Sequence, residues 1–187
     1  MNPTPWGFFL NAKPQKPEDL VEYDFDSAPV MQIPSDWNTK DDRLFFYEGT
    51  VWFKKSFDYK KSAGKRAFLY FGAINYKSIV YLTGKLLGKN EGGFTPLNFD
   101  VTDYINNGEN FVIVKVDNKR SKENVPTQIF DWWNYGGITR DVYVIETEDI
   151  FVQNYNFDLD AKSRSRIFFD ITLNRKTAGA KVEVSIP

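Results

Sequence analysis

In "NFVIVKVDN", residues 110–118, Val112, Val114 and Val116 recur at every second position. "RIFFDITLN", 166–174, alternates more strictly, with Ile167, Phe169, Ile171 and Leu173 set against Phe168, Asp170, Thr172 and Asn174. "TVWFKKSF", 50–57, sets Val51, Phe53 and Phe57 against Trp52, Lys54 and Ser56. Side chains of an extended chain point alternately to opposite faces, so this period of two makes sheets with apolar faces. No stretch sustains a period of 3.6 long enough for a substantial helix. "VTDYINNGEN", 101–110, has room for one helical turn before its Asn-Asn-Gly stop. The pattern restricts the chain to a β architecture.

The remaining segments fill in that architecture. "RAFLYFG", 66–72, is apolar on both faces and reads as a central strand. "KSIVYLTG", 77–84, reads as a strand with Gly84 opening a tight turn into "KLLG", and "PLNFDV", 96–101, as a short strand. "RDVYVIE", 140–146, closes the first block, and "IPSDWN", 33–38, is a turn around Pro34 and Asp36. Residues 1–27 are rich in Pro and polar residues with scattered aromatics (Trp6, Phe8, Phe9, Tyr23, Phe25), which reads as an irregular arm over a sheet. Short strands split by Gly, Asn, Asp and Pro turns predict a β-sandwich, and the longer connections favour a jelly roll. The 17% aromatic content fits, because aromatic rings suit strands and bury large areas.

After Glu146 come "FVQNYNFDL" (151–159), "RIFFDITLN" (166–174) and "KVEVSI" (181–186), each with one apolar face. Three strands do not cover their own apolar faces, and an immunoglobulin-like sandwich takes about seven strands in about 100 residues. The expectation is a jelly-roll domain over 1–147, then the first strands of an incomplete immunoglobulin-like domain over 148–187. The alternatives are that this tail packs on the first domain or pairs with a second copy through its free edge.

Charge and residue usage exclude several chemistries. With 24 basic and 25 acidic residues the net charge is −1, so no polyanion is attracted, and "KRSKEN" (119–124) reads as a solvated loop. There is no Cys and no His, which removes thiolate and imidazole metal sites and the Ser-His and Cys-His nucleophile designs. Acid–base chemistry would rest on Asp, Glu, Lys or Tyr. "GKRAFLYFG" lacks the spacing and helix of a phosphate loop, so no cofactor or metal is expected. No apolar run approaches the ~20 residues that span a bilayer. "MNPTPWGFFLNAKP" has no leader pattern. The compartment stays open: periplasmic or secreted if a leader was removed, otherwise cytoplasmic.

"FDWWNYGGITRDVYV", 130–144, carries the concentrated chemistry. Asp131, Trp132, Trp133, Asn134 and Tyr135 crowd beside Gly136 and Gly137. A carboxylate accepts from two hydroxyls at once, and an amide both donates and accepts. Each residue also has a structural reading. Asp131 either grips a ligand or caps a turn or pairs with Arg140. Adjacent Trp132 and Trp133 point opposite ways in an extended chain, which leaves at most one for a ligand and sends the other to the core. Arg140 reads as a structural ion pair, Asn134 as a loop-holding amide, and the glycines as permitting a bulge. Glu91, in the "GKNEGGFTP" loop (88–96), reads as a solvated turn charge.

"YEGTVWFKKSF" (47–57), "FGAINYKSIVYLTGKLLGKNEGGFTPLNFDVTDYI" (71–105), "GENFVIVKVDN" (108–118) and "DWWNYGGITRDVYV" (131–144) occur in this order. Together they resemble the N-terminal sugar-binding domain of glycoside hydrolase family 2, the β-galactosidases, β-glucuronidases and β-mannosidases. The resemblance covers residues 30–146, and the tail from 149 is similar to the start of the family's next domain. It implies that catalysis lies in a (β/α)₈ barrel outside this segment, where two Glu residues roughly 5 Å apart act with retention, so the segment alone is expected to be inactive. It implies that Asn75 and Asp131 match positions contacting the terminal sugar, with Trp132, Trp133 and Tyr135 walling the pocket and Asn134 holding the loop. The implied partners are a carbohydrate and the barrel, not nucleic acid or membrane, with a homodimer through the free edge as a further option. The family's usual Leu-Gly-Trp-type first strand is not evident at "NPTPWG". A stand-alone carbohydrate-binding module and a scaffold or adhesion sandwich are the rival readings.

Overall fold

The computed structural model of this chain describes residues 5–10, 25, 27–125, 127–163 and 165–185. It divides into two compact units, residues 1–146 and 147–187. In the first unit the strands are β1 (Trp6–Leu10), β2 (Val30–Met31), β3 (Ser35–Asp36), β4 (Thr50–Tyr59), β5 (Lys65–Phe71), β6 (Ile74–Asn75), β7 (Lys77–Leu82), β8 (Lys85–Glu91), β9 (Leu97–Asp100), β10 (Gly108–Asp117), β11 (Gly137–Ile138) and β12 (Val142–Glu148), whose last residues cross the division. The helix α1 (Trp37–Lys40) is a single turn, followed by a 3-10 turn at Asp42–Leu44.

A six-stranded sheet runs β2-β1-β4-β10-β7-β8, and a three-stranded sheet runs β12-β5-β9. The core between them is built from the alternating residues. Val51 and Phe53 of β4, Val112, Val114 and Val116 of β10, and Val80 and Leu82 of β7 meet Ala67, Leu69 and Phe71 of β5 and Val142 of β12. β5 is the central strand of the smaller sheet; Ala67, Leu69 and Phe71 face the core, while Phe68 and Tyr70 on its other face are half-buried. The opposite face of β4 is not simply solvated. Trp52 there is fully buried in a second cluster with Tyr81 and Ile113. The β7–β8 hairpin closes on Thr83 and Gly84, with φ of 46° and 84°, the paired left-handed geometry of a two-residue turn. The all-β sandwich expected from the sequence is the observed fold.

Three readings are corrected. The arm over residues 1–27 is not wholly irregular: Trp6–Leu10 is a strand, pairing Gly7–Leu10 with Lys54–Val51 of β4, and Trp6 and Phe8 are buried. A first strand is therefore present; flanking Pro and Asn hid it, and its order comes from pairing with β4 rather than from local propensity. Residues 11–24 of the arm lie outside the described residues. The 88–96 loop is shorter than read, since β8 continues to Glu91 against β7. "IPSDWN" is more than a turn, because Asp36 caps α1 by accepting from the Thr39 N–H at 2.7 Å.

Among its described residues the second unit holds one antiparallel pair, β13 (Val152–Leu159) with β14 (Ile167–Leu173). Phe157 stacks edge-on to Phe169 across the pair, with centroids 5.0 Å apart, and Tyr155, Phe157, Leu159 and Phe169 are exposed. Residues 181–185 form no strand, contrary to the reading of "KVEVSI", because they pair with no described residue and alternation alone does not make a ladder.

Candidate functional site

A small sheet, β3-β11-β6, positions the site. Gly137 pairs with Asp36 on one side and Asn75 on the other, which joins segments far apart in sequence. Gly136 is held on both sides of its peptide: its N–H donates to Asn38 Oδ1 and its carbonyl accepts from the Trp37 N–H, each at 2.9 Å. A Cβ on Gly136 would lie 2.1 Å from Trp37 Cζ2, and one on Gly137, whose φ is 150°, 2.4 Å from the Ser35 carbonyl oxygen. These glycines therefore serve close approach to Trp37 and Ser35 within a three-stranded ladder. The bulge toward a ligand read from the sequence is not what they form.

Amides fix the loop beyond. Asn118 Nδ2 donates to the Asn134 carbonyl at 3.0 Å, and Asn134 Nδ2 donates back to the Asn118 carbonyl at 2.5 Å. Asn134 thus holds the loop through backbone bonding. Asn75 Nδ2 donates to the Tyr135 carbonyl, and its Oδ1 faces Gly93, where a Cβ would come within 2.1 Å.

These segments surround a cavity of about 590 Å³. Five of the sequence-predicted residues line it: Asn75, Trp132, Trp133, Asn134 and Tyr135. Asp131 does not line it. Its side chain is exposed and makes no hydrogen bond or ion pair with the described residues, so neither the turn cap nor the Arg140 pairing forms. Neither tryptophan enters the core. Trp132 is 63% exposed and packs on Phe130 at 5.2 Å, while half-buried Trp133 meets Phe45 at 4.9 Å and Phe46 at 5.5 Å. Residues 131–136 are not a strand, so strand alternation does not govern the two indoles.

The sequence reading missed Arg120, Phe94, Phe130 and Tyr76 and took Arg140 for a structural ion pair; all five stand on the cavity wall. Arg140 makes no ion pair with the described residues; its Nη1 donates to the Phe94 carbonyl at 3.2 Å. Arg120 Nε lies 2.6 Å from Glu48 Oε1, and its guanidinium sits 4.9 Å from the Phe130 ring centroid. The 119–124 segment is accordingly more than a solvated loop, since Asn124 is buried and bonded to Lys119 and Ser121. Phe130 and Arg140 lay within the 130–144 stretch, and Tyr76 and Phe94 within the 71–105 stretch. Asp36 is the one carboxylate among the described lining residues, and Thr39 occupies both its oxygens at 2.7 and 2.8 Å.

The fold is thus a β-sandwich whose rim cavity is lined by amide, indole, phenol and guanidinium groups. Residues 2–148 match the family model for glycosyl hydrolases family 2, sugar binding domain, and the chain belongs to that family. It is 28% identical to a β-galactosidase of Thermoanaerobacter pseudethanolicus over 90% of this chain and 24% of that protein. It is also 28% identical to a β-glucuronidase of Formosa agariphila, over 95% of this chain and 20% of that one. The chain thus spans a quarter or less of these relatives. A Bifidobacterium dentium β-glucuronidase solved with coumarin-3-O-glucuronide superposes with a TM-score of 0.78 at 25% identity, covering 92% of this chain and 35% of that chain.

Proposed function

We propose that this chain is the non-catalytic, sugar-binding portion of a retaining family 2 exo-β-glycosidase. It supplies one wall of the terminal sugar subsite and braces a (β/α)₈ barrel that carries the acid/base and nucleophile. The carrying observation is the rim cavity, which gathers Asn75, Trp132, Trp133, Asn134 and Tyr135 from separate segments. Exposed Asp131, with no partner among the described residues, stands beside them in sequence and has its acceptor oxygens open for hydroxyls of a sugar seated under another domain. Retention requires two carboxyl groups roughly 5 Å apart, and the described cavity wall offers one, already capping a helix. Residues 148–187 are the first strands of an immunoglobulin-like domain, a reading supported by the exposed aromatic face of the β13–β14 pair.

The test is Asp131→Ala and Asn75→Ala in the full-length protein, assayed on aryl β-galactoside, β-glucuronide and β-mannoside. On the accepted sugar, Asp131→Ala is expected to lose at least about tenfold in kcat/KM, the scale of a lost charged hydrogen bond, and neutral Asn75→Ala about 2- to 10-fold. Unchanged turnover with intact folding would dismiss the subsite role. The exposure of Trp132 and Tyr135 keeps a stand-alone binding module as a second reading. Saturable binding of mono- or oligosaccharide by the isolated chain would favour that module.

A further inference from the structure

Beyond the cavity wall, two aromatic rings, Phe45 and Phe46, continue outward from Trp133. Phe45 and Phe46 meet edge-to-face at 4.9 Å, and the Trp133 ring tilts against both, at 4.9 and 5.5 Å. Phe46 is 81% exposed and Phe45 43% exposed, yet the turn that carries them is firmly held. Buried Asn38 donates from Nδ2 to the carbonyls of Leu44 and Phe45 at 3.0 and 3.2 Å, while Asp41 caps the 3-10 turn by accepting from the Arg43 N–H at 3.1 Å. Asn38 also accepts from Gly136 in the site loop, so the Phe45–Phe46 turn and the cavity wall share one anchor. Two solvent-facing phenylalanines on a fixed turn cost hydration without adding core packing, which marks a contact surface.

We propose that Phe45, Phe46 and Trp133 form an aromatic ledge that holds the leaving-group side of the substrate and selects for an aromatic aglycone. The inference rests on the sugar-subsite reading above and adds a specificity-determining surface next to it. Trp133 is shared between the ledge and the cavity, so a ring attached to a sugar in the cavity would reach Phe46 along a continuous surface. Of the charged side chains on this turn, Asp41 and Arg43 are bonded to each other at 2.5 and 2.9 Å, and Asp42 is exposed. The three rings themselves offer π faces and a single indole N–H, so the ledge suits a flat apolar ring over a hydroxyl-rich second sugar.

The experiment uses the full-length enzyme and two substrates with the same sugar, an aryl glycoside and a methyl glycoside. Phe46→Ala is expected to raise KM for the aryl glycoside by about 2- to 10-fold, the scale of one aromatic pair, and to leave the methyl glycoside at its wild-type KM. Phe46→Tyr, which keeps the ring, is expected to restore aryl KM. Asp131→Ala serves as the reference for the subsite and should impair both substrates alike. If Asp131→Ala impairs both while Phe46→Ala changes neither, the ledge is refuted and the subsite stands. If Phe46→Ala impairs both equally and lowers the melting temperature, the rings pack against protein and the ledge is likewise refuted. If Asp131→Ala is silent on both substrates, the subsite reading itself fails.

Discussion

Asn118 and Asn134 exchange hydrogen bonds, each side-chain amide donating to the other's backbone carbonyl, at 3.0 and 2.5 Å. Asn118 is 1% exposed and also accepts from the Gly49 N–H at 2.9 Å. One side chain at the end of β10 therefore ties the 131–135 loop to the entry of β4. Asn118→Ala leaves the Gly49 N–H and the Asn134 carbonyl without these partners in a buried setting. The expected loss is about 1–3 kcal/mol, read as a lower urea midpoint with unchanged slope. Asn134→Ala removes one donor from a half-buried site and should cost less.

Gly136→Ala should be more damaging than its surroundings in sequence imply. Its new Cβ would lie 2.1 Å from Trp37 Cζ2 and 2.6 Å from Asn118 Nδ2. Trp37 is fully buried, and its Nε1 is bonded to the Tyr47 carbonyl at 3.2 Å, so the ring has no free direction. A loss of about 3 kcal/mol, the upper range for overpacking, is expected. Gly84→Ala is the comparison: its Cβ meets nothing within 4 Å, and only its φ of 84° resists. That strain costs about 1–2 kcal/mol. Equal denaturation midpoints for the two variants would contradict the steric account.

The strands were legible where burial repeats a local pattern. β5 sends Ala67, Leu69 and Phe71 to the core and leaves Phe68 and Tyr70 half-buried on the other face, and β10 alternates because one face meets the core. β1 was hidden, since five residues between Pro- and Asn-rich flanks carry no strong propensity and gain order from β4. At the site, the cluster 131–135 was visible as a composition, whereas its geometry was not. Trp133 is placed by Phe45 and Phe46, and Arg140 by the Phe94 carbonyl, partners more than 40 positions away in sequence. Local periodicity carries no information about such partners, and outside a strand it wrongly sent one of the two tryptophans to the core, whereas both line the cavity.

The Tyr59–Glu146 bond makes stability depend on pH at both ends of the scale. Tyr59 OH donates to Glu146 Oε1 at 2.5 Å, and Ser62 Oγ donates to Oε2 at 2.7 Å. The Tyr59 bond, then that from Ser62, holds the Glu146 carboxyl below the ordinary range. Burial first, then the Glu146 acceptor, pushes the Tyr59 hydroxyl up to about 12. A depressed carboxyl stabilises the fold above the unfolded value, about 4.3 for Glu, and the contribution is lost as pH falls through the folded value. A raised phenol contributes fully below about pH 10, and its contribution is lost as pH rises toward about 12. Tyr59→Phe should therefore flatten both flanks of the melting temperature against pH. Curves for wild type and variant that stay parallel from acid to alkali would rule the linkage out.

Gly93→Ala separates the position of Asn75 from the stability of the fold. The added Cβ would fall 2.1 Å from Asn75 Oδ1 and 2.9 Å from its Cγ, the end of a side chain that can rotate. Rotation gives up the bond from Nδ2 to the Tyr135 carbonyl, at a net cost of about 1 kcal/mol. Gly93 does not occupy the left-handed region, so its backbone accepts alanine. Stability measured by denaturation should move little, while the full-length enzyme should show the same rise in KM as Asn75→Ala. Because both changes act through one amide, the double variant should be no worse than either alone. A Gly93→Ala enzyme with wild-type KM, beside an impaired Asn75→Ala, would mean that substrate does not depend on where the Asn75 amide is held.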